Sequence, residues 1–320
     1  VIRRRDLRTL LPYARKLWAP EQAPPAREWS TTVPDERMGT VRLTGELREL
    51  EGARRFLLVA HGLGGSPRSH YCLRAARLGA QRGYTTLCLS LRGSDRRGED
   101  FYNVALREDL AAALASPEVA GYEEIDVLGY SMGGHVTLHY ARGPVDPRVR
   151  AVAAVCTPMD LLSAQRYIDS PRAWLYRRHV LAGLKEIYMA VARRGRPIPS
   201  PLDTVLAVRT IHAWDRVAIA PRYGYDSPEH FYEALSIGQH MADLVVPALL
   251  VGAEKDPIIP PQTIRPFLPA EDRRGGLEVR WVRPAGHVAF AQDLDLGYDP
   301  VKGLEGQLFG WFARFSRLAN

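Results

Sequence analysis

Apolar residues fall along the chain in two rhythms. Short, almost wholly apolar runs bounded by turn residues alternate with longer stretches where apolar positions recur at helical spacing. The short runs are Phe56–Ala60, Tyr84–Leu91, Ile125–Leu128, Val149–Val155, Pro247–Gly252 and Glu278–Val282. Most lack polar alternation, as expected of strands covered on both faces. Residues 70–82, 104–115, Met132–Arg142 and Leu304–Leu318 have the helical pattern. The alternation predicts βαβ units: an α/β fold with a mostly parallel central sheet and helices on both faces. Upstream, Glu28–Val33 and Gly39–Leu47 flank the turn residues Pro34-Asp35 and predict an antiparallel entry hairpin. Asp6–Trp18 reads as an amphipathic lead-in broken by Pro12, joined to the hairpin by a Pro-rich connector, Pro20–Pro25.

From Met159 to Ala242 the alternation stops. Helical, aromatic and Arg-rich segments take over, with breaks expected at Pro171, Pro197 to Pro201, and Pro221. The predicted organisation is therefore a core of residues 1–158 and 243–320, carrying a helical cap insertion over residues 159–242.

The stretch around which the rest is organised is Gly129-Tyr130-Ser131-Met132-Gly133. A strand ends just before it and a helix begins inside it, the setting a nucleophile elbow requires. The flanking glycines leave room for the serine to occupy a strained corner that lifts its hydroxyl clear of the sheet. A serine is inert without a base, an orienting acid and donors for the oxyanion. Candidates for each follow other predicted strands, the edge where open α/β sheets bind ligands. His61-Gly62-Leu63-Gly64-Gly65 follows the first apolar strand; its Leu63 amide, with the Met132 amide, is the candidate oxyanion hole. Asp256 in Glu254-Lys255-Asp256-Pro257 is the candidate acid, with Glu254 as competitor, and His287 in Pro284-Ala285-Gly286-His287 is the candidate base. A dinucleotide loop is disfavoured because Ser66-Pro67 stands where a third glycine is needed, and no Gly-Lys-Ser/Thr occurs.

Composition narrows the classes. The net charge of +7 comes from Arg interleaved with acidic residues, apart from Arg3-Arg4-Arg5, so a solvated surface is expected and no nucleic-acid partner. Cys72, Cys88 and Cys156 are far apart and form no metal-ligand or disulfide spacing. No metal and no organic cofactor are expected. No apolar run is long enough for a transmembrane segment, and Val1–Asp6 lacks the apolar core of a signal peptide, so a cytoplasmic, reducing setting is expected. The chain opens on Val1, as a trimmed or internal start would. His135 and His139 share a helix face at a spacing that binds metal, but with no acidic third ligand they read as packing residues. His61 reads as a support beneath the glycine loop, and His70, His179, His212, His230 and His240 are assigned no chemistry. Oligomeric state is not encoded in any pattern seen here.

Along nearly its whole length the chain resembles the α/β-hydrolase superfamily, with its Ser131…Asp256…His287 order. Within that superfamily it is similar to the fourth alpha/beta-hydrolase family, which groups bacterial esterase-like proteins, animal membrane-associated lipases and yeast medium-chain acyltransferase/esterases. The similarity rests on Leu7-Arg8-Thr9-Leu10-Leu11-Pro12, His61–Ser69, Gly129–Gly134, Pro158-Met159-Asp160-Leu161, Tyr176-Arg177-Arg178-His179 and Phe231-Tyr232. It departs at Leu7-Arg8-Thr9, where the family has His-x-Gln-Thr, and at His135, where the family usually has Asn. The triad order and the resemblance point to a serine carboxylesterase with a small-molecule substrate, and short- to medium-chain esters are expected because no membrane-binding face stands out in the sequence. Acyl transfer, lipase or monoacylglycerol hydrolysis, cofactor-free peroxidase or C–C bond chemistry use related elbows, and an inactive binding protein keeps the scaffold alone. Dehalogenase and epoxide hydrolase chemistry would need Asp at the position of Ser131. Trp174, Tyr176, Tyr188, Trp214, Tyr223, Tyr225, Phe231 and Tyr232 are the aromatic residues of the insertion, a set that fits either the lining of an acyl pocket or, at least as often, the insertion's own core.

Overall fold

The computed structural model describes residues 21–101, 103–268 and 276–318; the lead-in Asp6–Trp18 and the departure at Leu7–Thr9 lie outside them. The entry hairpin is present as β1 (Arg27–Asp35) and β2 (Gly39–Arg48), paired antiparallel from Arg27↔Leu47 to Asp35↔Gly39. Asp35 closes the turn by accepting hydrogen bonds from the Arg37 and Met38 amides at 3.0 and 2.9 Å, the local bonding that makes Asp a turn residue.

Six further strands complete the sheet: β3 (Arg55–Ala60), β4 (Tyr84–Leu89), β5 (Glu124–Tyr130), β6 (Val149–Val155), β7 (Ala248–Ala253) and β8 (Leu277–Val282). Their order is β1-β2-β4-β3-β5-β6-β7-β8, and every pairing from β4 to β8 is parallel. Successive side chains of β3 enter opposite layers: Phe56 and Leu58 join one core, Leu57 and Val59 the other. That is the period of two expected in a strand, with both faces buried. Helices α1 (His70–Gln81) and α10 (Leu304–Ala313) cover the second face through Cys72, Ala75, Leu308 and Phe312. Helices α2 (Arg107–Leu114) and α3 (Met132–Tyr140) cover the first through Leu110, Leu114, Val136 and Leu138.

Between β6 and β7 the regular elements are helical: α4 (Leu161–Ile168), α5 (Trp174–Arg193), α6 (Leu202–Ala207), α7 (Ile211–Trp214), α8 (Ala220–Tyr223) and α9 (Pro228–Leu235), with short single-turn pieces between some of them. Pro221 does not break the chain as expected. A wide π-type turn, Asp215–Ile219, runs directly from α7 into α8, and Pro221 lies within the first two residues of α8. A proline cannot donate to the carbonyl four residues earlier. Here that carbonyl, Val217 O, accepts a 2.7 Å hydrogen bond from the Ser200 hydroxyl instead.

A buried charge cluster ties this helical segment to the sheet. Arg92, just past β4, pairs with Asp35, Asp100 and Asp109, while Arg222 in α8 pairs with Asp35 at 2.9 Å and Asp100 at 2.6 Å. These side chains have almost no solvent, so removing one cation strands carboxylates in a low-dielectric interior. Arg222→Ala is expected to lower the unfolding free energy by roughly 3–5 kcal/mol, read from urea denaturation. Arg54→Ala, which breaks a surface pair with Glu123, is expected to leave the midpoint nearly unchanged. Among the described residues no helix is long and apolar enough to cross a membrane.

Candidate active site

Ser131 sits at the corner between β5 and α3 with φ 53° and ψ −117°, a left-handed conformation that costs a non-glycine residue on the order of 1–3 kcal/mol. The corner is held from three sides. The Ser131 amide donates to Val155 O at 2.7 Å, and its carbonyl accepts from the Gly134 and His135 amides. The elbow glycines are required sterically. A Cβ on Gly129 would lie 2.4 Å from Gly133 O, and one on Gly133 would lie 2.3 Å from Ala60 O and 2.5 Å from His61 O. These are backbone atoms with no rotamer to give way, so Gly129 follows from the close approach of the first turn of α3 and Gly133 from packing the elbow against the end of β3.

The glycine loop after β3 lies against the serine. A Cβ on Gly62 would stand 3.0 Å from Ser131 Cβ and 3.6 Å from Ser131 Oγ. Among the described residues, the backbone bonds of turns and caps use neither the Leu63 nor the Met132 amide. Leu63 and Met132 both line the cavity above Ser131, and Met132 opens α3, where the dipole favours negative charge. His61 holds this loop from beneath. Leu91 N–H donates to His61 Nε2 at 3.2 Å, so the proton is on Nδ1, which donates to Gly62 O at 2.8 Å.

Burial pushes His61 down to about 4 from its usual 6.5. The folded protein holds the neutral ring while the unfolded chain takes up a proton below pH 6.5. Stability from this group is therefore complete above pH 6.5 and is lost as pH falls through 4, by up to about 3 kcal/mol. Urea midpoints measured at pH 7.5 and 4.5 are expected to fall further in the wild type than in His61→Gln.

The remaining two residues arrive from the far half of the sheet. Asp256 follows β7, and its Oδ1 accepts from the Ile258 and Ile259 amides at 2.7 and 2.8 Å. Its Oδ2 lies 2.8 Å from His287 Nδ1, and His287 Nε2 lies 2.9 Å from Ser131 Oγ. An ionised carboxylate can only accept, so Nδ1 carries the proton and Nε2 is left to accept from the serine hydroxyl. His287 occupies the bend of a small hairpin, β9 (Ala285–Gly286) and β10 (Ala289–Phe290), which the apolar pattern does not reveal. Glu254, the competing acid, instead pairs with Arg265 and Arg283 at 2.8 and 3.2 Å.

Sequence spacing also misses Cys156. It follows β6 in a left-handed conformation, φ 51°, and accepts a hydrogen bond from Val288 N–H at 3.4 Å. Ligand atoms of Cys156, Asp256 and His287 lie within 4.8 Å of one another. The donors already aimed at Asp256 and Cys156 make this a poor cation cage, since a metal would compete with N–H groups for the same lone pairs. Burial, with Asp256 nearby, raises the Cys156 thiol well above its ordinary range, so the neutral thiol is held. His135 and His139 face carbonyls: His135 reaches Pro158 O and Leu235 O at 2.8 Å, and His139 reaches Leu235 O at 2.9 Å.

Above Ser131 opens a cavity of about 390 Å³ lined by both the sheet-edge loops and the helices between β6 and β7. Of the eight aromatic residues of the insertion, Tyr176, Trp214, Phe231 and Tyr232 line it. Tyr188 is buried in the core with its hydroxyl on Ser200 O, Tyr223 and Tyr225 pack against that core, and Trp174 is 53% exposed.

A sequence profile of the Alpha/beta hydrolase family matches residues 56–296. The chain belongs to the alpha/beta hydrolase family. It is 26% identical over 267 residues to "Putative esterase YheT" of Escherichia coli (strain K12), covering 81% of this chain and 76% of that protein. It is 22% identical over 312 residues to "Putative esterase slr0264" of Synechocystis, covering 87% and 77%. Among solved structures, the Pyrococcus furiosus esterase Pf2001 superposes with a TM-score of 0.57 at 16% identity, covering 90% of this chain and 92% of that one. The sheet order and its parallel pairings make this an alpha/beta hydrolase fold, as the strand pattern predicts. In this family member the profile takes in Ser131, Asp256 and His287, whereas the entry hairpin and α10 lie outside it.

Proposed function

We propose that the protein is a serine carboxylesterase acting on short- to medium-chain esters, with Ser131, His287 and Asp256 as its catalytic triad. The observation that carries this reading is the unbroken hydrogen-bond chain from Asp256 through His287 to Ser131 Oγ at the floor of an apolar cavity. Ser131 Oγ attacks the ester carbonyl as His287 Nε2 takes its proton, and Asp256 stabilises the imidazolium. Charge on the carbonyl oxygen is met by the Leu63 and Met132 amides, each contributing on the order of a few kcal/mol. Collapse returns the proton to the departing alcohol and leaves an acyl group on Ser131. Water, deprotonated by His287, then releases the acid by the same steps in reverse.

Residues 159–242 act as the cap in this scheme, excluding bulk water from the acyl-enzyme and shaping the acyl site. The curated relatives carry esterase names, in keeping with this reading. Three buried, unpaired thiols at Cys72, Cys88 and Cys156 accord with a cytoplasmic location. The test is direct. A fluorophosphonate probe should label the native protein at Ser131, and a panel of p-nitrophenyl esters should be turned over with a peak at short or medium acyl length. A protein that is neither labelled nor active on any member of the panel would refute the assignment.

A further inference from the structure

The cavity wall contains a carboxyl group for which ester cleavage has no use. Asp215 begins the wide turn between α7 and α8, is 7% exposed, and among the described residues is the only carboxylate lining the cavity. Its neighbours in that wall include Ile211, Trp214 and Ile219. The Tyr232 hydroxyl donates to Oδ2 at 2.5 Å. Among the described residues, Oδ1 takes no hydrogen bond and Asp215 makes no ion pair.

The other buried carboxylates of this Arg-rich chain are treated differently. Asp100 and Asp109 each meet Arg92, and Asp126 meets Arg150. Burial, with the negative charge of Asp169 adding to it, pushes Asp215 up to about 7. An acid group set in an apolar wall without its full complement of partners costs free energy unless something else supplies a donor. Tyr232 engages Oδ2, so Oδ1 is the carboxyl oxygen with acceptor capacity to spare in a residue that lines the cavity.

We propose that Asp215, oriented by Tyr232, is a polar subsite of the cavity that accepts a hydrogen bond from a hydroxyl group of the substrate, remote from the scissile carbonyl. This rests on the esterase reading for the word substrate, and it adds that the preferred esters are hydroxylated and not plain alkyl.

Binding and turnover test the two readings separately. In the inert Ser131→Ala protein, equilibrium binding is measured for matched esters: hexyl hexanoate, its 6-hydroxyhexanoate counterpart, and the ester with the hydroxyl on the alcohol side. One hydroxylated ester is expected to bind about tenfold or more tighter than the plain one, and which one does so tells whether Asp215 faces the acyl or the alcohol end. Asp215→Leu in the same background should abolish or reverse that preference. Asp215→Asn, which keeps an acceptor oxygen, should retain part of it, and thermal midpoints check that each variant is folded. A purely structural Asp215–Tyr232 contact would shift the midpoints and leave the binding ratio near one, overturning the proposal. So would an ammonium-bearing analogue binding where neither hydroxylated ester does. With Ser131 restored, turnover without a hydroxyl preference sinks the subsite alone, whereas a binding preference without turnover of any ester sinks the esterase reading alone.

Discussion

Ser131→Ala is expected to lower the kcat of a short p-nitrophenyl ester by at least about ten-thousand-fold, with KM and the unfolding midpoint little changed. In the proposed mechanism the hydroxyl forms the acyl-enzyme, and its neighbours at 129 and 133 are glycines held against backbone. Removing Oγ leaves the corner intact, because the bonds that hold it run through the Ser131 amide and carbonyl. Alanine also tolerates the strained backbone no worse than serine does. Residual activity well above the uncatalysed rate would reflect water attacking the ester carbonyl directly while the backbone amides stabilise the oxyanion. Activity within tenfold of the wild type in a stopped-assay comparison would remove Ser131 from the mechanism.

Asp256→Asn is expected to cost about ten-thousand-fold in kcat while barely altering the geometry. The reason lies in how the two carboxylate oxygens are used. Oδ1 accepts from two backbone amides and Oδ2 faces His287 Nδ1. An asparagine has one oxygen, and two fixed N–H donors hold it at the Oδ1 position. Its NH2 group then faces Nδ1, which must become the acceptor, and the imidazole proton moves to Nε2. The ring that should take a proton from Ser131 now carries one there. Proton NMR of the imidazole in the variant should show the exchanged tautomer, and Glu254→Gln serves as the control. Because Glu254 is engaged with Arg265 and Arg283, its replacement is expected to leave turnover near the wild-type value.

Much of this protein is legible in its residues taken one stretch at a time. The mostly apolar runs report β3 to β7 as strands buried on both faces, whereas β8, with Glu278 and Arg280, is only partly buried; all six occur within a residue or two of where the pattern puts them. Ser131 stands out for a similar reason, since a strand-to-helix corner admits only glycine at 129 and 133. Other features were opaque. Pro221 looks like a helix breaker until Ser200, twenty-one residues upstream, is found serving Val217 O. The small hairpin around His287 is too short for periodicity to register. Asp215 resembles any other acidic residue of an Arg-rich helical stretch, and only its place in the cavity wall marks it.

What the chain determined by itself is therefore the alternation of strand and helix, the elbow, and the order in which serine, aspartate and histidine follow one another, because these depend on sterics and side-chain period within a few residues. Tertiary structure decided which carboxylate meets the imidazole, which aromatic rings face the cavity, and which buried acids find an arginine. Those outcomes depend on partners and on loss of water, and both are supplied by segments far away along the chain, whose arrival no local pattern records.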